Sequence, residues 1–140
     1  MAGTATPIYP QTIKNWVQQV LPADTTTLKT LVTGGTNGSV VEMINVSSTD
    51  TVARDMVFYM TVGGVDYRLF TISIPINSGN TNAVGAVAPL NNTTLFSALP
   101  FNNSGNKFIY VANGSELKVA VSVAVSATRA IQIVAHGGDY

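Results

Sequence analysis

The chain has 140 residues, a length that suits one domain with a core large enough to need no cross-links. It contains no cysteine, which excludes disulfides and thiolate metal sites. Charged residues make up 10%, against about 25% in an ordinary domain, and the seven basic side chains are scattered rather than clustered, so nucleic acid and acidic membranes are poor partners.

A surface this poor in charge and rich in Thr, Asn, Ser and Gly suits a protein covered by neighbours in an assembly. It equally suits a monomer solubilised by amides and hydroxyls. No run approaches the roughly 18 apolar residues of a membrane-spanning helix. The first ten residues lack the basic start and apolar centre of a signal peptide, so synthesis in a cytoplasm without export is expected.

Residues 1–11 read as an extended arm and residues 12–140 as the domain. Pro7 and Pro10 bias the arm to extended backbone. Its only large apolar groups are Ile8 and Tyr9. Such a segment cannot build its own core, which makes these two the candidate contacts with a neighbouring subunit or a shell protein.

Residues 12–21 are ambiguous. Ile13, Trp16, Val17, Val20 and Leu21 fit helical spacing, yet the segment is short and lies between Pro10 and Pro22. A strand is expected, with Trp16 as a core or interface anchor. Residues 28–33 predict a short strand, followed by the turn Gly34-Gly35-Thr36-Asn37-Gly38. Residues 40–46 predict the next strand, with Val40, Ile44 and Val46 in phase.

Residues 56–62 and 65–74 are joined by Gly63-Gly64, a strong hairpin signal. Residues 75–106 are irregular, and Leu95, Phe96, Leu99 and Phe101 are too apolar for a free loop. They are expected to cover one end of the core, through a helical turn capped by Asn92. Residues 107–112 predict a strand, and Asn113-Gly114 a hairpin turn.

Residues 115–126 carry the clearest signal. Leu117, Val119, Val121, Val123 and Val125 fall on alternate positions, which predicts one long strand with an apolar face. Its other face carries Ala120, Ser122 and Ala124, small enough for another layer or chain to approach closely. These three are the remaining candidate partner contacts. Residues 129–135 predict the last strand, and His136-Gly137-Gly138-Asp139-Tyr140 a Gly-rich tail. About eight strands without crossover helices predict an all-β fold, an antiparallel β-sandwich of jelly-roll-like type.

The search for chemistry finds no catalytic set, and neither an enzyme nor a cofactor is expected. His136 is the only histidine, and no Gly-x-Ser-x-Gly elbow accompanies it. Glu42, inside an apolar strand, is expected to pair with Lys or Arg across the sheet or at a subunit contact. Arg54-Asp55 reads as an ion pair or turn bond. Tyr59, Tyr67 and Tyr110 sit in apolar strands and read as packing groups rather than a glycan platform.

Several stretches resemble small proteins from the virion-structure gene clusters of tailed bacteriophages. They are Leu28-Lys29-Thr30-Leu31, residues 34–39, Ser48-Thr49-Asp50-Thr51-Val52-Ala53-Arg54-Asp55, Gly114 with Leu117-Lys118-Val119, and Gly137-Gly138-Asp139-Tyr140. The resemblance implies a virion component of the capsid decoration, or cement, type. It implies a β-sandwich arranged as a homotrimer on the outer capsid surface, with the major capsid protein as partner. A head-fibre or tail-attached receptor- or glycan-binding module is the alternative.

Overall fold

The computed structural model describes residues 9–92, 94 and 105–140. Its eight strands are β1 (Thr12–Val20), β2 (Lys29–Thr33), β3 (Ser39–Ser48), β4 (Arg54–Val62), β5 (Val65–Ile74), β6 (Ile109–Val111), β7 (Glu116–Val121) and β8 (Ile131–Asp139). They form two four-stranded antiparallel sheets, ordered β1-β8-β3-β6 and β2-β7-β4-β5. Two short 3-10 turns, Pro22–Asp24 and Pro89–Asn91, are the only helical elements among the described residues. Buried residues from both sheets make one apolar cluster, including Ile44, Val46, Ile131 and Ile133 from the first and Met56, Phe58, Leu117 and Val119 from the second. Phe58 and Phe70 stack within it at 4.5 Å between ring centroids.

The expected strand at the start of the chain is present, against its helical spacing. All nine residues of β1 pair with β8, from Thr12 opposite Asp139 to Val20 opposite Ile131. A period of two then divides the apolar residues. Trp16 and Val20 turn toward the core, while Ile13 and Val17 turn away from it.

Gly63-Gly64 makes the expected hairpin, and both glycines have positive φ. Asn113-Gly114 does not make a hairpin. It carries the chain from β6 in one sheet to β7 in the other, with Ser115 N–H donating to the Ala112 carbonyl at 3.0 Å. A local turn signal reports the reversal of the chain, and not whether the flanking strands pair.

The long strand expected over residues 115–126 is also shorter. Pairing with β4 ends where Val121 meets Met56. Ser122 N–H donates to the Asp55 carbonyl at 2.9 Å, after which the chain leaves the ladder. Val123 is consequently 60% exposed, and Val125 re-enters the core. Conversely, β8 runs on to Asp139, through the residues expected as a tail.

A bulge changes the phase of β3. Val41 lies opposite Gly137 and Met43 opposite His136, leaving Glu42 as the extra residue. Val41, Ile44 and Val46 therefore face the core, whereas Val40 belongs to the other face, out of phase with Ile44 and Val46. Asn92 follows the 3-10 turn Pro89–Asn91, and its Oδ1 accepts from Thr94 N–H at 3.0 Å, while the helical turn expected after it lies outside the described residues. Leu95, Phe96, Leu99, Phe101 and Ile8 lie outside the described residues.

Candidate interaction surface

The outward faces of the two sheets differ in chemistry. Cross-strand neighbours on one face stand about 5 Å apart, so register alone maps each surface. On the sheet β2-β7-β4-β5 the outward residues include Thr30, Lys118, Glu116, Thr61, Tyr59, Asp66 and Arg68. Lys118 Nζ lies 3.4 Å from Glu116 and 3.8 Å from Asp66. The Arg68 guanidinium sits 5.9 Å from the centroid of the Tyr59 ring. This face is ion-paired.

The outward face of β1-β8-β3-β6 is built from three rows. Asn15, His136 and Met43 form one, Val17, Val134 and Asn45 the next, and Gln19, Gln132 and Ser47 the third. Ile13 extends it along β1 and is 88% exposed, with Val17 at 70% and Met43 at 42%. Among the described residues, the only carboxylate added to this face is Glu42, the extra residue of the bulge. The residues of β1 that could have charged the face do not. Lys14 turns to the other side and lies 3.5 Å from Asp139.

His136 is part of this face. Its Nδ1 is 2.5 Å from Asn15 Oδ1, a hydrogen bond across β1 and β8. Glu42 has no ion-pair partner among the described residues, contrary to the expected cross-sheet pair. Arg54 pairs with Asp50 rather than with its neighbour Asp55.

The candidate residues of β7 do not form one open strip. Ala120 is on the ion-paired face, 7% exposed, opposite Val57. Ser122 and Ala124 lie beyond the end of the strand, exposed and half-buried respectively. Tyr9 is 71% exposed. Pairing with β8 begins beside it, because Gln11 N–H donates to the Asp139 carbonyl at 2.8 Å.

At one end of this face lies a cleft of about 770 Å³, lined by Gln11, Asn37, Ser39, Tyr110 and Tyr140 together with Gly38, Val111 and Ala112. Tyr110 projects from the edge strand β6 and is 58% exposed rather than packed. Its ring stands 6.1 Å from that of Tyr140 and meets Phe108 edge-on at 4.8 Å. Burial, then the hydrogen bond to Tyr110, then the charge of Glu42 push the Tyr140 phenol up to about 12. It is therefore neutral at physiological pH and keeps its proton for hydrogen bonding. Below the cleft, Ser39 Oγ donates to Asp139 at 2.5 Å and accepts from Gly35 N–H at 2.9 Å.

The sequence signal for this surface was Ile13 and Val17 at a spacing of four, which in a strand places both on one face. Helical spacing masked it. Comparison with protein-family models and with curated proteins returns no match.

Proposed function

We propose that this protein is a structural component of a bacteriophage virion, a decoration protein that binds the outer face of the capsid as an oligomer. The two sheets are read as the halves of a jelly-roll-like β-sandwich, and the oligomer as a homotrimer. The observation that carries the reading is the unequal chemistry of the outward faces. One is ion-paired. The other exposes Ile13, Val17 and Met43 among amides. A face of this kind is stabilised when covered, since burying a Val or Ile side chain returns roughly 1.5–3 kcal/mol. With one carboxylate and no lysine or arginine among the described residues of the face, its binding should tolerate salt.

The edge of β1 adds to this. Among the described residues no strand pairs with its outer side, where only Gln19 has its backbone groups bonded by the Gln18 and Lys29 side chains, so a neighbouring chain can pair with the rest. Residues 1–8 precede it, and an arm carrying Ile8 would reach the same neighbour.

The test is native mass together with copy number in purified virions. The wild type should be a multiple of the 14.7 kDa chain. Val17→Asp, at an exposed position, should cost less than about 0.5 kcal/mol of stability yet abolish the oligomer and shell binding. A wild-type monomer that does not bind shells overturns the proposal. If Ala124→Arg dissociates the oligomer and Val17→Asp does not, the interface lies at the end of β7 instead. Copy number near that of the shell protein means cement, whereas a handful of copies means the head-fibre or tail alternative.

A further inference from the structure

We infer that the cleft between Tyr110 and Tyr140, at the end of the docking face, is a second binding site, for a neutral oligosaccharide. Its volume, about 770 Å³, falls within the roughly 300–1,000 Å³ of small-ligand sites. Its walls combine two kinds of group that suit sugars. Tyr110 and Tyr140 offer ring faces for the C–H surface of a pyranose, with phenol oxygens at their tips. Gln11 and Asn37 offer carboxamides, each able to donate and accept at once, as adjacent sugar hydroxyls require.

These polar groups have capacity to spare. The side-chain amide of Gln11 has no hydrogen-bond partner among the described residues. Asn37 Nδ2 donates to the Tyr140 carbonyl at 3.3 Å, which leaves its Oδ1 and second N–H open. Ser39, by contrast, is already committed to Asp139 and Gly35, and forms the floor rather than a contact.

Charge selects within the class. No ionised side chain is among the described residues that line the cleft. The described lining therefore offers an acidic sugar no cation to pair with, whereas the hydroxyls of a neutral sugar need only its amides and phenols. The cleft adjoins the docking face, since Tyr110 shares a row with Ile13, Gly138 and Val40, while Val17 and Val134 lie two rows away along β1 and β8.

The experiment is amide-resolved NMR titration of the full chain with three neutral trisaccharides, of β-1,4-glucose, α-1,4-glucose and β-1,4-N-acetylglucosamine. A trimer of galacturonic acid serves as the acidic control. At least one neutral probe should shift the side-chain amides of Gln11 and Asn37 and the backbone amide of Tyr110, while the uronate should not. Tyr110→Ala, at an exposed edge position, should weaken binding roughly tenfold, as loss of a stacking ring does. Gln11→Ala should weaken it without touching the fold. Both variants should keep the wild-type native mass, which separates this site from the docking face. The inference is overturned if no neutral probe shifts these residues, if the uronate binds best, or if Tyr110→Ala binds as well as wild type. It is equally overturned if the cleft signals shift with protein concentration alone, because the occupant is then a second copy of the chain.

Discussion

Asp50→Asn is expected to cost about 3–5 kcal/mol, a large part of the stability of a domain this size. Asp50 is fully buried, at the start of the β3–β4 connection. One carboxylate oxygen accepts from Arg54 Nε at 2.8 Å and from Ser126 N–H at 3.1 Å, and the other accepts from Val52 N–H at 3.1 Å. Arg54 also donates to Ser126 Oγ at 2.9 Å, so the pair fastens the β3–β4 connection to the segment that follows β7. The asparagine keeps the shape but removes the charge, leaving a guanidinium whose side chain is only 11% exposed without its counter-ion. Replacing both partners by Leu and Met should recover part of the loss. Recovery stays incomplete because the amides of Val52 and Ser126 would then lack an acceptor.

The same group sets an acid limb. Burial alone would raise the Asp50 pKa, but the bonds from Arg54, Ser126 and Val52 outweigh it and hold the carboxyl well below the usual range. A depressed folded-state value means that the unfolded chain binds the proton more readily. The stabilisation is therefore complete above about pH 4 and lost as pH falls below it toward the folded-state value. Denaturant titrations at pH 7 and pH 3 check both effects. Wild type should lose stability between them, and Asp50→Asn should lose less. A variant within about 1 kcal/mol of wild type at pH 7 would show that the pair is solvated in practice.

The strands were legible where composition and local chemistry agreed. Met56 and Phe58 alternate, Gly63-Gly64 can only turn, and β4 and β5 pair as that pattern predicts. Legibility failed where one residue shifts the phase. Glu42 interrupts an apolar run, which reads as a misplaced charge, but it is the extra residue of a bulge. Nor can a sequence say which sheet a strand joins, so Asn113-Gly114 read as a hairpin although its strands belong to different sheets. The face of Ala120, Ser122 and Ala124 was inferred by extending alternation beyond Val121, where the hydrogen bonds to β4 stop. The docking face was hidden for a related reason. It is assembled from β1, β8 and β3, which are distant in sequence and individually unremarked.

Gly137→Ala is expected to disrupt β8 and cost about 3 kcal/mol, the upper end of what overpacking does. An added Cβ would stand 1.8 Å from the Val40 carbonyl oxygen, 2.9 Å from its carbon and 3.1 Å from the Cα of Val41. All three are backbone atoms, so no side-chain rotation can relieve the clash. The close approach belongs to the bulge, where Val41 faces Gly137 and Glu42 is left over. Glycine is required here by space, not by its φ, which is why a Gly-rich sequence that looked like a tail is the inside of a central strand. Moving β3 away would break pairing at Ser39, Val40 and Val41 and turn Met43 off the outward face. Gly85→Ala is the control, since nothing lies within 4 Å of its added Cβ and its φ is not positive. It should be neutral or stabilising by about 0.4–1 kcal/mol. Denaturant unfolding should separate the two variants, and hydrogen exchange should place the loss of protection at residues 39–41 and 137–139. Equal stability of Gly137→Ala and Gly85→Ala would mean that the two strands relax apart freely, and that the bulge does not fix which side chains the docking face presents.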